Sequence, residues 1–268
     1  MKITIAKPQY IYEVGRRTNQ EDAIYPPADE ATANDRLFMV CDGMGGHNCG
    51  EVASQTACET IGRYLSTHVR PKDDLDQPTL EEAIAAGYDA LDAKDTKDSS
   101  EKKMGTTLTL LCLNGNGCLI AHIGDSRIYH IRPAERHIWH TRDHSLVYDL
   151  YEAGELTQEE MKTFPRKNII TRAMMAGMER RSKAAIRLIT DVQPGDFFLL
   201  CSDGMLEETE DENLLNIFSD PSTSDEEKCE ILKQVSAENK DNHSAYFIRI
   251  IGTTPKAKAK FNLFNLFR

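Results

Sequence analysis

Five stretches of this chain end in carboxylates, either where an apolar run stops or in a tight turn: Glu21-Asp22, Asp42-Gly43, Asp125, Asp203-Gly204 and Asp241-Asn242. Extended runs that halt on an acid and turn on glycine can bring side chains distant in sequence to one place. Like charges repel there unless cations lie between them. The pattern therefore demands a fold in which several strands end together, and it points to hard metal ions held by oxygen.

The 268 residues suffice for one large or two small domains and for a substantial buried core. With 43 acidic against 32 basic side chains the net charge is −11, which argues against nonspecific binding to nucleic acid or to anionic membrane. No apolar run reaches the ~18 residues of a membrane-spanning helix. Met1-Lys2-Ile3-Thr4-Ile5 passes straight into polar sequence rather than a signal-peptide core, so a cytoplasmic monomer is expected. The 7 cysteines include no Cys-x-x-Cys pair, which indicates neither a disulfide framework nor a zinc knuckle.

Leu37 to Cys41 predicts a buried strand that feeds the glycine turn Asp42-Gly43-Met44-Gly45-Gly46, and Glu51 to His68 predicts a helix. Pro78-Thr79-Leu80-Glu81-Glu82 predicts a capping box for a second helix, with Asp92 to Lys103 as a charged loop. Thr106 to Leu113 and Cys118 to Ile123, joined by Asn114-Gly115-Asn116-Gly117, predict a hairpin that continues as a meander through Ser126 to Arg132 and His137 to His140. Asp143 to Phe164 is helical in pattern, with a capping box from Thr157 to Glu160. Strands are predicted at Ala185 to Ile189, Phe197 to Cys201 and Ala245 to Ile251, with helices opening at Thr209 and at Ser224. Without a linker or a fixed-period repeat, one mixed domain rich in antiparallel sheet is the economical reading.

Two hard cations roughly 3.5–4 Å apart can share a water and bring its acidity near neutrality, yielding a nucleophile for phosphorus. Arginine grips phosphoryl oxygens in planar, bidentate fashion, and Arg17 stands five residues before Asp22. The ordered set Arg17-Thr18-Asn19-Gln20-Glu21-Asp22, Asp42-Gly43-Met44-Gly45-Gly46-His47, Gly105-Thr106-Thr107, Gly124-Asp125-Ser126-Arg127, Ser202-Asp203-Gly204 and Asp241-Asn242 resembles the metal-dependent protein phosphatases of the 2C type. Asp-Gly-Met-Gly-Gly is of the bacterial kind. The resemblance runs from about Tyr10 to Ile251.

That resemblance implies an α+β fold, a four-layer α-β-β-α sandwich of two central antiparallel sheets flanked by helices, with metals at one edge. The catalytic domain would span residues 1–252, with a flap at about 144–178 and a tail from 253. It implies hydrolysis of phosphoserine and phosphothreonine in proteins by a metal-bridging hydroxide with Mn²⁺ or Mg²⁺, two principal ions and a third, in opposition to a serine/threonine kinase. Carried over by position, Asp42 would bridge both ions, the Gly43 carbonyl would bind one, and Asp203 and Asp241 the other. Glu21 would reach the second ion through water, and Asp125 would join Asp203 at the third. Arg17, Asp42 and Asp203 would be catalytic, with Asp22 supporting Arg17 and Asn242 standing behind the ligands. Met44 occupies the place where many eukaryotic members have a histidine, so water would protonate the leaving alkoxide.

Within the flap, Arg166, Lys167 and Arg172, with Arg180, Arg181 and Lys183 beyond, either meet an acidic phosphopeptide or form an ordinary solvated face. The methionines of Ala173-Met174-Met175-Ala176-Gly177-Met178 read as adaptable core filling. For any single Asp-Gly pair a simple turn is the default, as surface placement is for His140 and His144 and strand burial for Cys41 and Cys201. The tail, with Lys256, Lys258, Lys260 and Arg268 among Phe261, Leu263, Phe264, Leu266 and Phe267, is either an amphipathic docking helix or a frayed end. The rival to an enzyme is a catalytically silent phosphoprotein-binding module of the same fold. A phosphatase of small metabolites is a further alternative.

Overall fold

The computed structural model describes residues 2–45, 49–70, 73–95 and 103–254; His47 and the tail from 255 lie outside them. The chain opens with β1 (Lys2–Ile5), β2 (Gln9–Glu13), β3 (Asp22–Tyr25) and β4 (Leu37–Met44), then helices α1 (Cys49–His68) and α2 (Gln77–Lys94). Strands β5 (Gly105–Thr106), β6 (Leu108–Asn114), β7 (Gly117–Ile123), β8 (Arg127–Arg132) and β9 (His137–His140) lead to short helices α3 (Leu146–Glu152) and α4 (Gln158–Thr163). The remainder is β10 (Met174–Met175), β11 (Ala185–Ile189), β12 (Phe197–Cys201), α5 (Asp211–Ser219), α6 (Asp225–Ser236) and β13 (His243–Thr254).

Two sheets result, and every pairing is antiparallel. One runs β1-β13-β12-β8-β9 with β2 also on β13; the other runs β10-β5-β4-β6-β7-β11 with β3 on β4. The strands read as unbroken apolar runs because both faces of each sheet are covered, and their period of two sorts the side chains between layers. Phe38 and Val40 of β4, Leu111 of β6, Phe198 and Leu200 of β12 and Tyr246 and Ile248 of β13 fill the space between the sheets. Their neighbours Met39, Cys41, Leu108 and Leu110 turn outward against Ile61 and Leu65 of α1 and Leu80 and Leu91 of α2. On the far side, Leu199 and Phe247 meet Leu214 and Phe218 of α5 and Leu232 of α6. The four-layer sandwich is thus the architecture observed.

Several local expectations change. Strand β4 does not stop at Cys41 but continues through Asp42-Gly43-Met44, because Gly43 and Met44 pair with Thr106 and Gly105 of β5. The cap of α2 is Asp76, whose carboxylate accepts the Thr79 amide at 2.9 Å, so Thr79 lies inside the helix rather than at its start. The hairpin β6–β7 forms, but the meander breaks after it. Gly124, at φ +110°, lets the chain leave one sheet and enter β8 in the other. The helical stretch after Asp143 is two helices, interrupted at Gly154 (φ +75°), with the Thr157–Glu160 capping box at the second. Strands β1 to β3 carry no periodic apolar signal of their own and take their shape from the sheets they join.

Candidate active site

The alternation that buries Phe38 and Val40 between the sheets also aims Asp42 there, two positions further along β4. The same rule applies to Ile24 and Asp22 on β3, to Ile128 of β8 and Ser126 just before it, to Leu200 of β12 and Ser202 just after it, and to Tyr246 and Ser244 on β13. At one end of the sandwich the inter-sheet layer therefore changes from apolar to polar. Asp22 stands opposite Asp42 in the β3–β4 ladder. From the other sheet, the Ser202 hydroxyl donates to Asp22 Oδ2 at 2.8 Å.

The Asp42 backbone is clamped on both sides. Its amide donates to Thr107 Oγ1 at 2.9 Å, and its carbonyl accepts from the Thr106 hydroxyl at 2.9 Å and the Thr107 amide at 2.8 Å. Thr107 Oγ1 in turn bonds Ser126 Oγ at 2.7 Å, tying the two sheets together below the site. Gly43 must be glycine, since a Cβ there would collide with the Gly50 and Glu21 carbonyl oxygens. Close passage of the first turn of α1 also sets the Glu21 carboxylate against Gly50, whose other neighbour is the Gly43 carbonyl.

Asn242 organises the opposite wall. Its Oδ1 accepts the Glu21 amide at 2.8 Å, and its Nδ2 donates to the carbonyls of Val14 (2.8 Å) and Asn19 (2.9 Å), which fixes both ends of the loop bearing Arg17. The Arg17 guanidinium reaches Asp241 at 2.7 Å. Glu207 receives the amides of Lys240 and Asp241 at 3.0 Å each, and Asn239 donates to the Gly204 carbonyl at 2.6 Å, so the Asp203 and Asp241 turns are bonded to one another.

Burial pushes the Asp42 carboxyl well above the usual carboxylate range, and the charges of Asp22, Asp203, Asp125 and Asp241 push it further. Asp22 is raised to about 7 by burial, against the opposing hydrogen bonds of Ser244 and Ser202. Asp125 is raised to about 8 by burial and by Asp203, and Asp203 is raised by burial and by Asp241. Asp22 Oδ1 and Asp125 Oδ1 are buried with no hydrogen-bond partner. Hard-oxygen donors that repel one another and lack partners fit divalent magnesium or manganese. Among the described residues, no three His, Cys, Asp or Glu side chains close on a single metal-sized point.

The expectation that Asp22 supports Arg17 is corrected. The β3–β4 register turns Asp22 inward to Ser202 while Arg17 sits exposed on its loop and pairs with Asp241. Arg166 and Lys167 are exposed on the flap, and only Arg172 of the three flap candidates shares a cleft with Met44. Met174 is core filling, as its complete burial against α2 requires, whereas Met178 is 48% exposed. The surface placement expected of His144 is corrected, since it is buried. His140 lies on β9, and His144 stacks on His122 at 4.6 Å with its Nδ1 accepting the Gly124 amide at 3.1 Å. Burial, then the charges of His122, Arg172 and Arg142, lowers His144 to about 4, so it holds the turn before Asp125 as a neutral ring. Residues that sequence reasoning gave no role, namely Thr106, Thr107, Ser202, Glu207 and His144, act through pairings visible only in three dimensions.

A family model described as Protein phosphatase 2C matches residues 14–241. The serine/threonine protein phosphatase PstP of Mycobacterium tuberculosis is 36% identical over 205 residues, 76% of this chain but 37% of that protein's length. Protein phosphatase PhpP of Streptococcus pneumoniae is 34% identical over 197 residues, 71% of this chain and 74% of the relative. Among solved structures, M. tuberculosis PstP superposes with a TM-score of 0.78 at 30% identity, covering 93% of this chain and 100% of that one. Staphylococcus aureus Stp1 gives 0.77 at 28%, covering 94% and 98%. The PstP catalytic domain in complex with 2 manganese ions gives 0.75 at 30%, covering 94% and 100%.

Proposed function

The chain belongs to the protein phosphatase 2C family, and from that membership we propose that it hydrolyses phosphoserine and phosphothreonine monoesters in proteins with the help of two divalent cations, manganese or magnesium. The observation that carries the proposal is the gathering of Asp22, Asp42, Asp125 and Asp203 at one end of the inter-sheet layer, where burial raises all four. Asp42, the Gly43 carbonyl, Asp203 and Asp241 would hold the two principal ions, Glu21 would approach through water, and Asp125 with Asp203 would take a third. When bound, the cations supply acidified water and positive charge for the phosphoryl oxygens.

The chain's own residues do the positioning. Thr106 and Thr107 grip the peptide on both sides of Asp42, so the backbone from which its carboxylate projects is fixed. Ser202 fixes the rotamer of Asp22 behind it. Arg17 gives one nitrogen to Asp241, and the rest of its donor fork is available for two oxygens of a phosphate monoester. Asn242 sets the height of that loop over the site. Met44 follows Gly43 without an imidazole. The two described histidines nearest the ligands face inward, His144 toward Gly124 and His243 toward the Asp241 carbonyl, so the leaving alkoxide takes its proton from water.

The chain works in the cytoplasm as a monomer against the products of a serine/threonine kinase. Hydrolysis of a phosphothreonine peptide should require manganese or magnesium and stop with chelator, and Asp42→Asn should lose at least about 100-fold in kcat while keeping a cooperative thermal transition. A folded wild-type protein without metal-dependent turnover would instead favour the silent binding module.

A further inference from the structure

A cleft of about 380 Å³ is lined by Met44, Met175, Tyr88, Arg172, Met178 and Arg180, and Met44 stands two residues beyond Asp42 on β4. Its lining continues the strand edge that carries Asp42: Met44 pairs with Gly105 of β5, and Gly105 pairs with Met175 of β10. A Cβ on Gly105 would press on the Met175 sulfur, so the glycine leaves that side chain its place in the cleft. Arg181 is already engaged, bonded to Asp89 and Asp92 at 2.7 Å each and lying 5.1 Å from the Tyr88 ring centre. Among the described residues no salt bridge involves Arg172 or Arg180, and both are exposed.

In a chain of net charge −11, two exposed guanidinium groups outside any described salt bridge, beside methionines and with Asp149 near Arg172, form a locally cationic patch. They match an extended peptide that carries carboxylates. Met44 lies two residues beyond Asp42, about 7 Å along the strand, which is also the reach of two residues of an extended peptide. We propose that this cleft selects substrates by binding an acidic side chain two to four positions from the phosphorylated residue. The inference rests on the phosphoprotein reading above, and its test separates the two.

The probes are phosphothreonine peptides with Glu, Ala or Lys at those positions, placed on the N-terminal or C-terminal side. For the wild-type protein, kcat/KM should favour Glu over Lys peptides by about three- to tenfold on one side, and the ratio should shrink as salt is raised. In Arg172→Glu/Arg180→Glu the ratio should invert in favour of Lys, an outcome that mere loosening of the flap would not produce. A wild-type ratio near one, or a preference that survives the charge reversal, would overturn the proposal. Fluorescence anisotropy of the same peptides in chelator reads the cleft without turnover. Charge-dependent binding in chelator, together with no hydrolysis of the same peptides when manganese is supplied, would defeat the phosphatase reading and leave the cleft standing, whereas charge-blind binding would remove the cleft.

Discussion

Replacing Asp22 by Asn in the metal-free protein isolates the electrostatic tension of the site. In the unfolded chain Asp22 loses its proton near 3.8, but in the metal-free fold it keeps it to about 7, because burial outweighs the bonds from Ser244 and Ser202. Between those values the native state binds more protons than the unfolded state, so stability falls as pH rises through the window and levels off above it. Integrating the two titrations, Asp22 costs the fold about 2 kcal/mol at pH 5 and about 4 kcal/mol at pH 8. Asn escapes that cost but brings a penalty of its own, since its amide nitrogen meets the place where Oδ1 has no partner. That penalty is independent of pH and cancels in the difference. The effect of Asp22→Asn should therefore move by about 2–3 kcal/mol in the stabilising direction from pH 5 to pH 8, or roughly 5–8 °C in melting temperature for a chain of this size. Thermal unfolding followed by circular dichroism in chelator at the two pH values measures it. An equal shift at both would refute the assignment of a buried, repelled carboxylate.

Asn242→Ala removes three bonds that hold the Arg17 loop, and it should raise KM for phosphopeptides several-fold with a smaller change in kcat, as steady-state kinetics will show. Arg17→Ala should mainly raise KM, and Arg17→Lys should recover part of the loss but not the bidentate grip. Gly204→Ala should cost at least about 2 kcal/mol of stability, because its Cβ would collide with the Asn242 carbonyl; denaturant unfolding gives the value. Asp203→Asn should abolish turnover while the metal-free protein melts no lower than wild type, since one repelled carboxylate is gone.

Much of the site was legible before any fold. Asp203 and Asp241 stand at turns marked by glycine or asparagine, and local turn chemistry is written in the residues that make it, whereas Asp42 was flagged by its apolar run although its strand continues past it. The strand Phe197 to Cys201 and the hairpin at Gly115-Asn116 were equally visible, since each carries its apolar run and its stop signal within ten residues, and for Leu37 to Cys41 the apolar run was right while the stop was not. What could not be read was pairing. Asp22 looked like a neighbour of Arg17 because five residues separate them, yet the register of β3 on β4 aims it at Ser202, 180 residues away. Strands β7 and β8 looked like successive members of one meander, and a glycine at φ +110° sends them to different sheets.

By itself the amino-acid order determined which chemistry was on offer: hard-oxygen donors, one arginine and the places where strands end. Tertiary structure alone decided that these donors face one another, because a period of two says only that alternate side chains share a face. Which face is inward, and what stands across from it, is set by how two sheets and four packed helices exclude water.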